Sequence, residues 1–190
     1  MSVGKLDRSI VMVGLMGAGK SSIGRRLANR LGLPFVDADN EIEKAAGCSI
    51  SEIFDRFGEA AFRDGERKVI KRLMDGKVQV LSTGGGAFMD PETRELISQE
   101  GVSVWLRADL DLLVQRCSRR NTRPLLQKGD PKEILQKLID ERYPVYGQAD
   151  ITVDAGDRDH EDTVDQVIRQ LGEYIDDADA RQPETAGAHG

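Results

Sequence analysis

Two hydrophobic periods alternate along this chain. Short apolar runs rich in β-branched residues at 9–14, 34–36, 79–82, 103–106 and 150–153 predict strands. Such runs arise where side chains are buried on both faces of a sheet, so no polar alternation survives. Between them, apolar residues recur every three to four positions over 21–31, 51–74, 91–100, 110–118, 131–147 and 163–175, which predicts helices. Ser49 and Glu52 have the spacing of a capping box, while Asp90 before Pro91 and Asp130 before Pro131 place an N-cap ahead of a first-turn proline. Gly58 interrupts the second helical stretch and is expected to divide it. Strands alternating with helices predict an α/β fold with a mainly parallel sheet covered on both faces. Residues 121–130 follow neither period and are expected to form a mobile loop, and residues 177–190 have no apolar stripe and are expected to be a disordered tail.

Composition narrows the class. A length of 190 residues suits one domain, and 39% hydrophobic with 32% charged residues describes a soluble globular protein. The net charge is −6, of which residues 172–190 contribute −4 and the remaining body only −2. A nearly neutral body lacks the broad basic face that bulk nucleic-acid binding needs, so an anionic ligand must be held by a local cluster. The longest apolar run, 10–19, is too short and glycine-rich to span a bilayer, and no small-residue cleavage site follows it. Cys48 and Cys117 lie far apart without metal-ligand spacing, which suits a reducing cytosol and a cytoplasmic location.

The strongest chemical signal is the run from Gly14 to Ser21, in which Gly14, Gly19, Lys20 and Ser21 match G-x-x-x-x-G-K-S/T. It follows an apolar strand and opens a helix, the context in which backbone N–H groups wrap around phosphate oxygens. Lys20 is then placed to reach the β- and γ-phosphates, and Ser21 to offer a hydroxyl to Mg²⁺. No base-reading N-K-x-D of a regulatory GTPase is present, and the D-x-x-G at Asp55 and Gly58 falls inside a helical pattern. The third strand ends at Ser82 without an aspartate. These features favour a small kinase in which a second substrate completes the site.

Four elements fit a hydroxylated, carboxylated acceptor. Asp37 and Asp39 follow the second strand, at the sheet edge where ligands of this class bind. One carboxylate can serve a metal-bound water and the other an acceptor hydroxyl; alternatively, Asp39 or Asn40 caps the following helix. Arg63, with Phe62 before it and Glu66 one turn later, offers a bidentate seat for a carboxylate, or a surface helical pair with Glu59 or Glu66. Gly84, Gly85 and Gly86 directly follow a strand and allow a ligand close to the backbone. Arg116, Arg119, Arg120 and Arg123 form the local basic cluster, joined later by Arg142; a mobile loop can deliver such an arginine to a phosphoryl group, or the cluster is a solvated helix end.

Taken in order, Gly17 to Ser21, Asp37 and Asp39, Gly58 and Glu59 with Phe62, Arg63 and Glu66, the glycine triplet, Arg123 to Leu126, and Arg142 to Tyr146 resemble shikimate kinase over roughly residues 10–167. The resemblance implies a three-layer α/β P-loop kinase fold like the nucleoside monophosphate kinases. Its five-stranded parallel sheet would have order 2-3-1-4-5, with helices on both faces and a lid. One kinase domain would span 1–175, with a substrate-binding helical region about 37–66, a lid about 118–130 and an acidic tail over 176–190. The implied reaction moves the γ-phosphate of ATP to the 3-hydroxyl of shikimate, with Mg²⁺, in a monomeric enzyme without nucleic-acid or membrane partners.

Residue by residue, the resemblance implies that Arg63 and Arg142 bind the acceptor carboxylate. Asp39 would take its hydroxyls, and Gly84, Gly85 and Gly86 border the pocket. Gly17, Ala18, Gly19, Lys20, Ser21 and Ser22 would bind the nucleotide phosphates together with the lid residue Arg123. Ser21 would hold Mg²⁺ directly and Asp37 through water, with Arg116 and Arg158 against adenine. His160 stands where proline is common in the family, and is expected to be a solvated residue at a helix start.

Overall fold

The computed structural model describes residues 6–118, 129–156 and 159–181. Five parallel strands form one sheet: β1 (Ser9–Val13), β2 (Phe35–Asp37), β3 (Val80–Ser82), β4 (Gly101–Arg107) and β5 (Ile151–Asp154), in the order β2-β3-β1-β4-β5. Every residue of β1 is buried, as expected of a central strand covered on both faces. The register aligns the strand ends that matter for chemistry: Asp37 pairs with Ser82, and Ser82 with Met12 of β1. The phosphate-loop motif, Asp37 and Ser82 therefore emerge side by side at the carboxyl ends of the strands.

Seven helices surround it among the described residues: α1 (Lys20–Leu31), α2 (Ala38–Ala46), α3 (Ile50–Met74), α4 (Pro91–Glu100), α5 (Leu110–Ser118), α6 (Pro131–Tyr146) and α7 (His160–Arg181), with a short 3-10 turn at Ala87–Met89. Ser49 and Glu52 form the reciprocal capping box, and Asp90 and Asp130 cap α4 and α6 ahead of their prolines. Gly58 breaks α3 with non-helical angles (φ 79°, ψ 175°). Packing against the sheet comes from buried Ile23 and Leu27 of α1 and Val164, Val167 and Leu171 of α7. Each such side chain stabilises by about 1.5–3 kcal/mol. The exposed Arg30–Asp165 pair between the same two helices, at 2.8 Å, contributes about 0–1 kcal/mol.

Three expectations are corrected here. The helix α2 follows β2 with no intervening loop, because Asp37 ends the strand and also caps the helix, its carboxylate accepting from the Asp39 backbone N–H at 3.1 Å. Neither Asp39 nor Asn40 is the cap. The helix α7 continues past 175, so residues 176–181 are helical and not part of a disordered tail. Once Val164, Val167 and Leu171 anchor the helix, adding alanine and charged residues to its end costs little. Residues 182–190 lie outside the described residues.

The region from α2 into α3 has a small core of its own: Ile42, Ile53, Phe62 and Val69, with Cys48, Ile50 and Leu73 packed against it. It adjoins the main core through Leu73, and Ala38, Ile70 and Met74 of the same two helices belong to the main core. Among the described residues no helix is long and apolar enough to cross a membrane.

Candidate active site

The run from Gly14 to Gly19 joins β1 to α1. Gly17 (φ 83°) and Gly19 (φ 102°) hold left-handed conformations that a side chain would strain, and these turns wrap the backbone into a concave loop. The first turn of α1 has no side-chain cap and no acidic residue, whereas α2, α3, α4 and α6 are all capped by Asp or Ser. The opening N–H groups of α1 are thus left for an external anion, which the helix dipole favours. The ammonium of Lys20 bends back into the loop, donating to the carbonyls of Gly14 (2.7 Å) and Leu15 (3.0 Å). Ala18 is buried beneath the loop, and the Ser22 hydroxyl accepts from Arg26 at 2.9 Å.

Beside the loop, the Ser21 hydroxyl donates to the Asp37 carboxylate at 2.8 Å and lies 3.3 Å from the Ser82 hydroxyl. Arg116, on α5, spans from the loop carbonyls of Ala18 (3.2 Å) and Gly17 (3.5 Å) to the carbonyl of Gly156 (3.2 Å) past β5. It fastens the phosphate loop to the far strand, a structural duty not apparent from its place in a basic cluster. His160 is half-buried, and burial first, then Arg26 and Arg116, hold its imidazole below the usual range. His160 opens α7 as expected, and it is partly rather than fully solvated.

A second cradle faces the first across the glycine triplet. Built onto Gly86, a Cβ would lie 2.5 Å from both terminal nitrogens of Arg63; on Gly84 it would lie 2.9 Å from Asp39 Oδ1 and 3.0 Å from Glu66 Oε1. On Gly85 it would lie 3.4 Å from Arg142 Nη1 and 3.5 Å from both Gly14 O and Met16 N of the phosphate loop. The triplet is therefore a shared wall, with the phosphate loop against one side and two guanidiniums and two carboxylates against it. Arg142 donates to the Gly85 carbonyl at 2.9 Å, and the Tyr146 hydroxyl donates to the same oxygen. Tyr146 belongs to an aromatic group with Trp105, Tyr143 and Phe88 that anchors this part of α6.

Arg63 makes both helical pairs that the sequence allowed, with Glu66 at 2.7 Å and with Glu59 at 3.4 Å, and also lines the cradle. The two possibilities are not exclusive. Glu66 itself is buried; burial raises its carboxyl above the usual carboxylate range, opposed by Arg63 and reinforced by Asp39 and Asp90. Its burial, the Ser82 contact with Ser21, and the bracing by Arg116 went unread from sequence. The only signals available were a strand ending in serine and a carboxylate one turn from an arginine. Arg119, Arg120, Arg123 and Arg158 lie outside the described residues.

The geometry offers one anion cradle beside another, separated by a strip of backbone without side chains. Such an arrangement can bring a polyphosphate and a hydroxylated organic acid into line for phosphoryl transfer.

Comparisons with known proteins agree with this chemistry. The family model for shikimate kinase matches residues 16–172. Shikimate kinase of Paramagnetospirillum magneticum is 61% identical over 173 residues, covering 91% of this chain and 89% of that protein. Shikimate kinase of Caulobacter vibrioides is 57% identical over 164 residues, covering 86% and 82%. The solved structure of shikimate kinase from Acinetobacter baumannii in complex with shikimate superposes with a TM-score of 0.84 at 38% identity, covering 88% of this chain and 94% of that one. A gluconokinase from Sinorhizobium meliloti superposes with a TM-score of 0.61 at 20% identity, over 93% and 98%, a likeness of fold alone.

Proposed function

Since this chain belongs to the shikimate kinase family, we propose that its two cradles hold ATP and shikimate and transfer the γ-phosphate to the 3-hydroxyl, giving shikimate 3-phosphate and ADP. The observation that carries this is the glycine triplet, which meets the phosphate loop and Arg142 at Gly85, Arg63 at Gly86 and Asp39 at Gly84. Arg63 and Arg142 seat the shikimate carboxylate as two guanidinium forks, while Asp39 accepts from its hydroxyls and points the attacking oxygen toward the phosphate loop. The backbone of Gly84, Gly85 and Gly86 lets the ring approach without a clash.

On the nucleotide side, residues 17–22 cradle the phosphates, and Lys20 exchanges its carbonyl partners for phosphate oxygens. Arg123 contacts the transferred phosphate from the lid, and Arg116 and Arg158 border the adenine. Little covalent work falls to the protein in this reaction, so placement and charge neutralisation carry the catalysis.

The pairing of the Ser21 hydroxyl with the Asp37 carboxylate is a set of hard oxygen donors beside the phosphate loop, which fits Mg²⁺ held jointly with substrate phosphates. Ser21 and Asp37 would hold the ion, which supplies charge neutralisation on the phosphates. Action as a cytoplasmic monomer on small molecules, without nucleic-acid or membrane partners, completes the proposal; two cysteines without metal-ligand spacing and a nearly neutral body support it.

The test is ADP release with ATP and Mg²⁺ in the presence of shikimate, gluconate or a nucleoside monophosphate. Shikimate is expected to stimulate release strongly and the others weakly. Stimulation by gluconate or a nucleotide with none by shikimate would overturn the acceptor assignment.

A further inference from the structure

Glu66 is the most enclosed carboxylate of the acceptor cradle, with only 3% of its surface exposed. One oxygen, Oε2, accepts from Arg63 at 2.7 Å. The other, Oε1, has no hydrogen-bond partner among the described residues and faces Gly84, where Asp39 Oδ1 also lies. An ionised carboxylate with a buried, unbonded oxygen is costly, and here a single guanidinium offsets that cost.

Seating an organic acid on Arg63 changes the balance. The incoming carboxylate shares the guanidinium that stabilises Glu66 and adds a like charge close by. Around Glu66 stand Arg63 on its own helix, Asp39 on α2, Asp90 at the start of α4, and Tyr146 on α6, with Arg142 drawn toward Gly85. The two guanidiniums must then serve the substrate's carboxylate together with Glu66, Asp39 and Glu59. Glu59 is solvent-screened, with 69% of its side chain exposed, and Asp39 is half-buried. Glu66 is therefore the group for which charge becomes least tolerable.

We propose that Glu66 takes up one proton from solvent when shikimate seats its carboxylate on Arg63, so that acceptor binding is coupled to protonation; this rests on the acceptor assignment above. A buffer acid gives up the proton, an O–H bond forms on the Glu66 carboxylate, and the proton returns to solvent when the acid leaves. Burial already holds the Glu66 carboxyl above the usual carboxylate range in the free protein, the same direction from a different cause. The bound state raises it further, so uptake is confined to the window between the free and bound values. Within that window shikimate affinity falls as pH rises, by at most about tenfold per pH unit for one whole proton. The substrate's own carboxyl responds in the opposite sense, since contact with guanidinium favours its ionised form and releases protons.

Titration calorimetry of shikimate into the full-length protein, repeated in buffers of different ionisation enthalpy over about pH 5–8, counts the protons directly. The wild type is expected to take up protons, most at one pH and none at the alkaline end, with affinity falling through the same interval. Glu66→Gln, which keeps the shape and carries no titrating group, is expected to lose the uptake and to bind with pH-independent affinity. Melting curves establish that this variant is folded, and the wild-type count stands by itself if it is not. A purely structural role for Glu66 leaves no uptake at any pH, only the release from the substrate's own carboxyl at the acid end. Shikimate binding without uptake at any pH, or unchanged uptake in Glu66→Gln, would overturn the inference alone. No shikimate binding at all would overturn the acceptor assignment and the inference with it.

Discussion

Gly86→Ala isolates the geometry of the acceptor cradle with one methyl group. Gly86 has φ −98° and ψ −14°, which alanine adopts without strain. The added Cβ would lie 2.5 Å from Arg63 Nη1 and Nη2 and 2.7 Å from its Cζ, where ordinary contact begins near 3.4 Å. The guanidinium must retreat by about 1 Å; it is held by Glu66 and Glu59 of its own helix, and a small torsional adjustment of the side chain moves it while the backbone stays in place. That retreat misaligns a fork designed for a carboxylate. A charge-assisted hydrogen bond of this type contributes about 1.5–3 kcal/mol. At about 1.4 kcal/mol per factor of ten, shikimate KM should rise about 10- to 150-fold. ATP affinity should be unchanged, and the melting temperature should move little, because Gly→Ala at a compatible site restricts the unfolded chain and offsets the local crowding. Gly85→Ala is the graded comparison: its Cβ would meet Arg142 Nη1 at 3.4 Å, so a smaller effect is expected. Steady-state kinetics for each substrate, with calorimetry for binding, decide the matter. A Gly86→Ala enzyme with shikimate KM within about twofold of wild type, or with ATP affinity falling in parallel, would refute the placement of Arg63 as the carboxylate seat.

Three further outcomes are expected. Lys20→Ala should lower kcat by about 10²- to 10³-fold, because an ammonium aimed at developing charge is lost, while shikimate binding by direct titration changes little; a kcat near wild type would contradict the phosphate role. Gly24→Ala places a Cβ 2.8 Å from the Phe35 ring. Its crowding cost of about 1–3 kcal/mol outweighs a helix-propensity gain of about 1 kcal/mol. Urea denaturation should therefore show a loss of stability, and a gain would refute this packing account. Burial pushes the Tyr143 phenol up to about 12. The folded value exceeds the unfolded one, so its contribution is intact below about pH 10 and lost as pH rises through 12. Tyr143→Phe should flatten that alkaline loss, measured by urea denaturation alongside phenolate absorbance; an unchanged alkaline limb would count against it.

Several features of this protein could be read from sequence because their causes are local. The phosphate loop is one: glycines at fixed offsets, a strand before and a helix after are neighbours along the chain, and the structure forms the turn they prescribe. The caps at Ser49, Asp90 and Asp130 likewise depend on residues within three positions. The sheet order followed from family resemblance, with the strand runs locating its members. The start of α2 was misplaced because its cap, Asp37, is also the last strand residue, and nine residues without a separating loop leave little periodicity to mark a boundary.

For Arg63, the sequence offered two roles and no means of choosing, since Glu59 and Glu66 are within its own helix while Gly86 is reached only when α3 packs beside the end of β3. The same holds for Ser21, Asp37 and Ser82, which parallel pairing brings together from the start of α1 and the ends of β2 and β3. Burial of Glu66 and bracing of the phosphate loop by Arg116 are likewise products of long-range packing. Residue types and local spacings determined which chemistry was available to this chain. Tertiary structure decided which charges lose their water and which neighbour compensates them, because desolvation and through-space attraction depend on distances that the chain order does not contain.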